Sequence, residues 1–187
     1  PIVRPAPQPA ILRPQFADHS PCKTLPTTYT GTMRISVQRV NEASIAVLND
    51  LGTLDPTFDV QQIGLGLLLT VEIEPDDDEP TIAMMANRVL TLRCIDGPQG
   101  SLPQSVQEIR GEILSIPQPL TSLHSPATGR PQLVAEDTDD EHANLTWIRF
   151  NEALRSGNVP VHEGRYGARM RIGSIVDGPF QFTLISD

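Results

Sequence analysis

Four histidines (His19, His124, His142 and His162), two cysteines (Cys22 and Cys94) and two dense acidic runs are the side chains from which this 187-residue chain could build a reactive centre. Each chemistry needs its residues at a particular spacing. A zinc hydrolase places two histidines four residues apart around a glutamate. "HEGRY" at His162 begins that pattern but has Tyr166 where the second ligand belongs. Serine catalysis needs a nucleophile on a sharp turn beside a histidine and an orienting acid. No G-x-S-x-G occurs, and "GSIVDG" around Ser174 lacks the elbow spacing. "GLGLLL", Gly64 to Leu69, has two glycines of a dinucleotide loop without the third and lies inside an apolar run, which reads as strand packing or a bulge. A G-x-x-x-x-G-K-[ST] loop is missing, and the only lysine is Lys23.

The acidic runs are Asp76, Asp77, Asp78 and Glu79, and "EDTDDEH" from Glu136 to His142. Such oxygen ligands suit calcium, but neither run has the turning glycine of an EF-hand. Adjacent carboxylates repel one another and are expected in water at loop tips. The sequon "NLT" at Asn144 matters only in a secreted protein. The expectation is therefore no enzyme, no catalytic residue, no cofactor and no metal.

Charge and composition set the outer bounds. The net charge of −9 argues against a nucleic-acid-binding body, and no membrane contact is expected from apolar runs no longer than Leu65 to Val71. Arg4, Arg13 and Lys23 against Asp18 give the first 32 residues +2, leaving −11 for the rest. One lysine stands against 13 arginines, a bias that a GC-rich genome explains and that also suits interfaces. Two cysteines make no disulfide framework, so free thiols are expected. No apolar leader is present at the start, and Pro1 fits trimming of an initiator methionine or a processing site.

The elements that would position any site follow from periodicity. "TMRISVQRV" alternates Met33, Ile35 and Val37 against Arg34, Ser36 and Gln38, the period of a half-buried strand. "ASIAVLNDLG" reads as a short helix or a second strand. Phe58 to Glu74 reads as a long strand or two joined at glycines, and "TIAMMANRVLTLRCID" as another strand. "SVQEIRGEILSIP" is the best helix candidate, with Ser105 and Glu108 as a capping box. Residues 117–143 read as a long loop. "NLTWIRFNEALRSG" is ambiguous, and two strands around the turn "DGP" at Asp177 to Pro179 close the chain. Without a βαβ rhythm, this predicts a mainly β chain: an antiparallel sandwich or jelly-roll-like domain over 32–187, with one or two short helices. Val71, Ile73, Leu90, Leu92, Ile148 and Ile172 are the expected core.

Residues 1–31 are expected to form an extended proline-rich N-terminal arm, since seven of the 18 prolines fall in the first 26 residues. Ile2, Val3, Arg4, Ile11, Leu12, Arg13 and Phe16 give it sticky contacts that a plain linker lacks. Such an arm suits a tether between subunits. The sequence thus predicts a structural assembly protein of a virion, such as a capsid, capsid-cementing or decoration, or tail subunit. Its expected partners are neighbouring copies of itself or another structural protein. A secreted or cell-surface β-sandwich binding a ligand, with calcium at the acidic loops, is the alternative.

Overall fold

In the computed structural model, residues 33–97, 103–118, 121–124, 132–135 and 140–186 are described. The arm lies outside them.

Strand β1 (Arg34–Leu48) organises the sheet. Its alternation buries Ile35 and Val37 and continues through Ala43, Ile45 and Val47, so "ASIAVL" extends the same strand. The first half of β1 pairs antiparallel with β3 (Gly66–Glu72), from Arg34↔Glu72 to Val40↔Gly66. The second half pairs with the short β2 (Gln61–Ile63), and β8 (Arg169–Ile185) runs antiparallel along its other side. Strand β3 then pairs in parallel with β4 (Glu112–Gln118), and β4 in parallel with β7 (Val161–Glu163). Gly66 opens the β3–β4 pair where a Cβ would lie 1.9 Å from the Glu112 carbonyl oxygen, so only glycine lets the strands meet.

Parallel neighbours need a crossover. Helix α1 (Glu79–Thr91) supplies it between β3 and β4. Between β4 and β7 come the β5 (Thr121–His124) and β6 (Gln132–Ala135) hairpin and helix α2 (Asp140–Ser156). The sheet order β2-β1-β3-β4-β7 curls until β2 meets β7, where His162 Nδ1 lies 3.3 Å from Gln61 Oε1. A nearly closed barrel results, with Val40, Ala43, Ile45, Ile63, Leu68, Leu114 and Ile116 inside. The outer face, with Ile35, Val37, Leu67, Leu69, Val71 and Ile113, is covered by both helices through Met85, Val89, Trp147 and Phe150.

The antiparallel sandwich or jelly roll is therefore overturned by two parallel strand pairs and the helices that connect them. Residues 81–91, most of the stretch 81–96 expected as a strand, lie in α1: Ile82, Met85, Ala86, Val89 and Leu90 follow helical spacing, and Asp78 caps the Thr81 N–H at 3.0 Å. The capping box at Ser105 forms as expected, with Ser105 N donating to Glu108 Oε2 at 2.8 Å and Glu108 N to Ser105 Oγ at 3.3 Å. It starts only a single turn, because Arg110 adopts a left-handed φ of 55° and the chain then enters β4. Of the expected core, Val71, Ile73 and Leu90 are buried. Leu92 and Ile148 pack against the core half-buried, and Ile172 is 47% exposed on β8.

Candidate active site

The residues singled out by type disperse in the fold. Ile2, Val3, Arg4, Ile11, Leu12, Arg13, Phe16, His19 and Cys22 lie outside the described residues. Asp77 is buried and staples β1 to the end of β3, accepting the Met33 N–H at 3.0 Å and the Glu74 N–H at 2.8 Å. Burial raises its carboxyl above the ordinary aspartate range, against the pull of those two bonds. With Asp78 as the helix cap, the first acidic run is structural. Among the described residues no group of three ligating side chains could hold a metal ion.

His142 Nε2 sits 3.5 Å from Thr146 Oγ1 one turn along α2, but Thr146 is buried and out of a substrate's reach. His162 seals the barrel, with Nε2 3.9 Å from Glu112 Oε1. Cys94 is free and buried, and desolvation pushes its thiol up, away from the reactive thiolate. Ser174 stands opposite Ala43 on β8, and no histidine hydrogen-bonds to it among the described residues.

What the fold does assemble is a main-chain feature. Gln38 faces Gln181 and Val40 faces Val176, so Arg39 alone stands opposite Asp177 to Phe180. Those four residues bulge out of the ladder, and a bulge re-aims backbone groups that the neighbouring strand no longer occupies. Gly178 lies at the tightest point: a Cβ there would sit 2.3 Å from the Phe180 nitrogen. The expected turn between two strands is thus a bulge inside one long strand.

Arg39 holds the bulge in place. Its side chain is 10% exposed, and its Nε donates to the Asp177 carbonyl at 3.0 Å while Nη1 donates to the Cys94 carbonyl at 2.9 Å. Carboxylates of Asp96 and Asp177 lie at 3.1 and 3.0 Å. The guanidinium also stacks 5.1 Å from the Phe180 ring centre, and Phe180 meets Phe182 edge-on at 5.3 Å. One buried fork thereby ties β1, the segment after α1 and the bulge together. The sequence carried a signal for it, since Arg39 continues the buried phase of Met33, Ile35 and Val37, where a charge is costly unless partnered.

A second concave region, a polar hollow of about 620 Å³, lies at the far end of the β1–β8 ribbon, lined by Asn49, Asp50, Asp55, Arg165 and Arg169 among others. Arg165 Nη1 holds Asp55 Oδ2 at 2.6 Å, and Nη2 holds the Thr57 carbonyl at 3.1 Å. Hydrogen bonds from Thr57 first, and Arg165 after them, keep the Asp55 carboxyl below its ordinary range.

A sequence model described as D-Tyr-tRNA(Tyr) deacylase matches residues 36–185, nearly all of the described body. The chain belongs to that family. A D-aminoacyl-tRNA deacylase of Bifidobacterium longum subsp. infantis is 49% identical over 147 residues, 79% of this chain and 90% of the relative. One from Exiguobacterium is 32% identical over 152 residues, 81% of this chain and 97% of the relative. Among solved structures, a c-Myc DNA unwinding element binding protein superposes with a TM-score of 0.65 at 26% identity, covering 81% of this chain and 97% of its own. A probable eukaryotic D-amino acid tRNA deacylase shares the fold with a TM-score of 0.63 at 16% identity, covering 82% and 99%.

Membership of this deacylase family overturns the virion assembly protein, the secreted binder with its calcium and the non-enzyme expectation together. It also overturns the exclusion of nucleic acid, because the family's description and the relatives' names contain a tRNA. A virion or secreted location falls with them, since these relatives are bacterial proteins named for tRNA chemistry. Among the described residues no helix is long and apolar enough to cross a membrane.

Proposed function

We propose that this chain hydrolyses the ester joining a D-amino acid to the terminal ribose of tRNA, in the compartment where tRNA is charged. The match to the deacylase family over residues 36–185 carries the reading. In the reaction a water oxygen bonds to the ester carbonyl carbon and the carbon–ribose oxygen bond breaks. The water's proton ends on the ribose hydroxyl, leaving a free amino acid and an uncharged tRNA. The hydroxyl–carboxylate pairs of the described residues, Thr57 with Asp55 and Thr81 with Asp78, at 2.7 Å each, serve a turn and the cap of α1, so we read catalysis as drawing on positioning and on fixed dipoles. The Asp177–Phe180 bulge suits that work: its main-chain groups leave the ladder at the sheet edge, and Arg39 fixes them.

The free edge of β8 supports a second copy as partner. Among the described residues β8 pairs only with β1, and Ile172, Ile175, Val176 and Ile185 along it are 40–58% exposed. A long bare edge with apolar side chains is a pairing surface.

The test is release of amino acid from D-tyrosyl-tRNA and L-tyrosyl-tRNA by the purified chain. Hydrolysis of the D-ester with the L-ester spared is expected, as is its loss in Gly178→Ala, whose Cβ has no room. Equal turnover of both esters, or of neither, refutes the reading.

A further inference from the structure

We infer that Arg169 and Arg171, on the outward face of β8, hold backbone phosphates of the tRNA acceptor stem. The inference rests on the deacylase reading and on the bulge as the place of the ester. Most in the described residues are committed: Arg34 to Glu72 and Glu74, Arg93 to Glu108, Arg155 to Glu163, Arg165 to Asp55. Arg169 and Arg171 have no such partner among the described residues. They stand opposite Leu48 and Ala46, which offer no carboxylate across the strand pair.

Alternation puts both on one face, with Met170 between them turned toward the barrel interior. Two residues along a strand span about 6.5–7 Å, so the guanidinium groups stand side by side in water. In a chain of net charge −9, a pair of exposed and unpaired arginines is a local field of the opposite sign. Planar guanidinium forks match phosphate oxygens. The polar hollow beside Arg169 leaves the approach open; of the two carboxylates that line it, Asp55 is already taken by Arg165 and Asp50 is exposed to solvent.

Position along the strand fits the same partner. Arg171 and Gly178 are seven residues apart on β8, about 20–25 Å at the rise of a strand. An aminoacylated tRNA carries its ester at the tip of a short unpaired 3′ end, and the duplex stem begins a few nucleotides back. With the ester at the bulge, the strand leads that end toward the arginines, where the stem's phosphates start.

The experiment compares wild type with Arg169→Gln/Arg171→Gln in binding uncharged tRNA across a salt series. Hydrolysis of D-tyrosyl-tRNA and of D-tyrosyl-adenosine, which has no stem, is measured alongside. Each lost phosphate contact lowers the slope of log affinity against log salt by about 0.9, so the double variant should lose roughly 1.5–2. Its dissociation constant is expected to rise about tenfold or more at 0.1 M salt, and KM for D-tyrosyl-tRNA to rise with kcat unchanged. D-tyrosyl-adenosine turnover and the melting temperature should match wild type, the lysine pair Arg169→Lys/Arg171→Lys should restore most of the affinity, and Arg110→Gln should change nothing. An unchanged slope and affinity overturn the inference while leaving the deacylase reading intact. So does a change in sedimentation, which would place a second copy against these arginines. Failure of wild type to cleave either D-ester marks the deacylase reading itself as wrong.

Discussion

Replacing Arg39 with lysine separates the geometry of the clamp from its charge. A lysine keeps the positive charge but not the fork that reaches the Cys94 and Asp177 carbonyls together. The aspartate contacts add little, because Asp96 is 79% exposed and Asp177 42% exposed, so solvent screens them. The loss then comes from the carbonyl bonds. A hydrogen bond to a charged group contributes about 1.5–3 kcal/mol, and at least one is lost outright. At roughly 2–4 °C per kcal/mol in a domain of this size, the melting temperature should fall by about 3–12 °C. Deacylation should fall further than stability suggests, since a bulge displaced by an ångström misplaces the ester, an error worth about 100-fold. Urea unfolding and D-tyrosyl-tRNA hydrolysis at saturating substrate measure the two effects on one preparation. Wild-type activity in a destabilised variant refutes the positioning role and leaves Arg39 a structural residue. Wild-type values in both refute the clamp.

Asn151 is fully buried on α2, and neither amide atom has a hydrogen-bond partner. Asn151→Leu should therefore stabilise the fold by about 1–3 kcal/mol in urea unfolding, since an orphaned buried amide costs that much; a loss of stability would show that the amide is satisfied. Hydrogen bonds from Thr81 hold the Asp78 carboxyl below its ordinary value of 3.8, so its contribution is present above that pH and lost as pH falls through the lower folded value. Asp78→Asn should leave the urea midpoint at pH 7 close to that of wild type, asparagine being an equally good cap, and flatten its fall at acid pH. Deleting residues 1–31 should leave deacylation and the melting curve unchanged, because the family match begins at residue 36; a collapse of either would make the arm part of the body.

The legible parts of this fold are those where one residue type has one use. The alternation of Met33, Ile35 and Val37 marks β1, and the serine–glutamate box marks a turn start at Ser105 that forms as read. Helix α1 was hidden because Val89 to Ile95 alternates like a strand while Ile82, Met85, Ala86, Val89 and Leu90 make a helical stripe through the same residues. Without that helix there is no crossover, and without the crossover none of the parallel pairs that distinguish this sheet from a sandwich. The site was harder to see for another reason. The working groups we propose belong to the backbone at Asp177 to Phe180, and a peptide group leaves no residue-type signature. Only the glycine and the neighbouring proline show there, and they serve an ordinary turn equally well.

Net charge misled for a related reason: it is a sum, whereas a polyanion meets an arrangement. At physiological salt the screening length is about 8 Å, so a phosphate on β8 senses the nearby arginines and little of the acid on the helices. On the inference drawn above, a −9 chain holds tRNA at one face because Glu72, Glu74, Glu108 and Glu163 are engaged by other arginines. Arg169 and Arg171 have no ion pair among the described residues, and beside Asp55, which Arg165 holds, only exposed Asp50 shares the hollow with Arg169. The remaining acidity has its own consequence. An editing enzyme must release uncharged tRNA after each turnover, and a mostly negative surface keeps phosphate contacts few and the bound lifetime short. Making the body basic should then tighten tRNA binding and slow steady-state turnover, with product release limiting the rate. Multiple-turnover and single-turnover hydrolysis by a variant with arginine in place of Glu141 and Glu152, both on α2, measures this. If both rates stay equal to those of wild type while affinity rises, the acidic surface has no part in release.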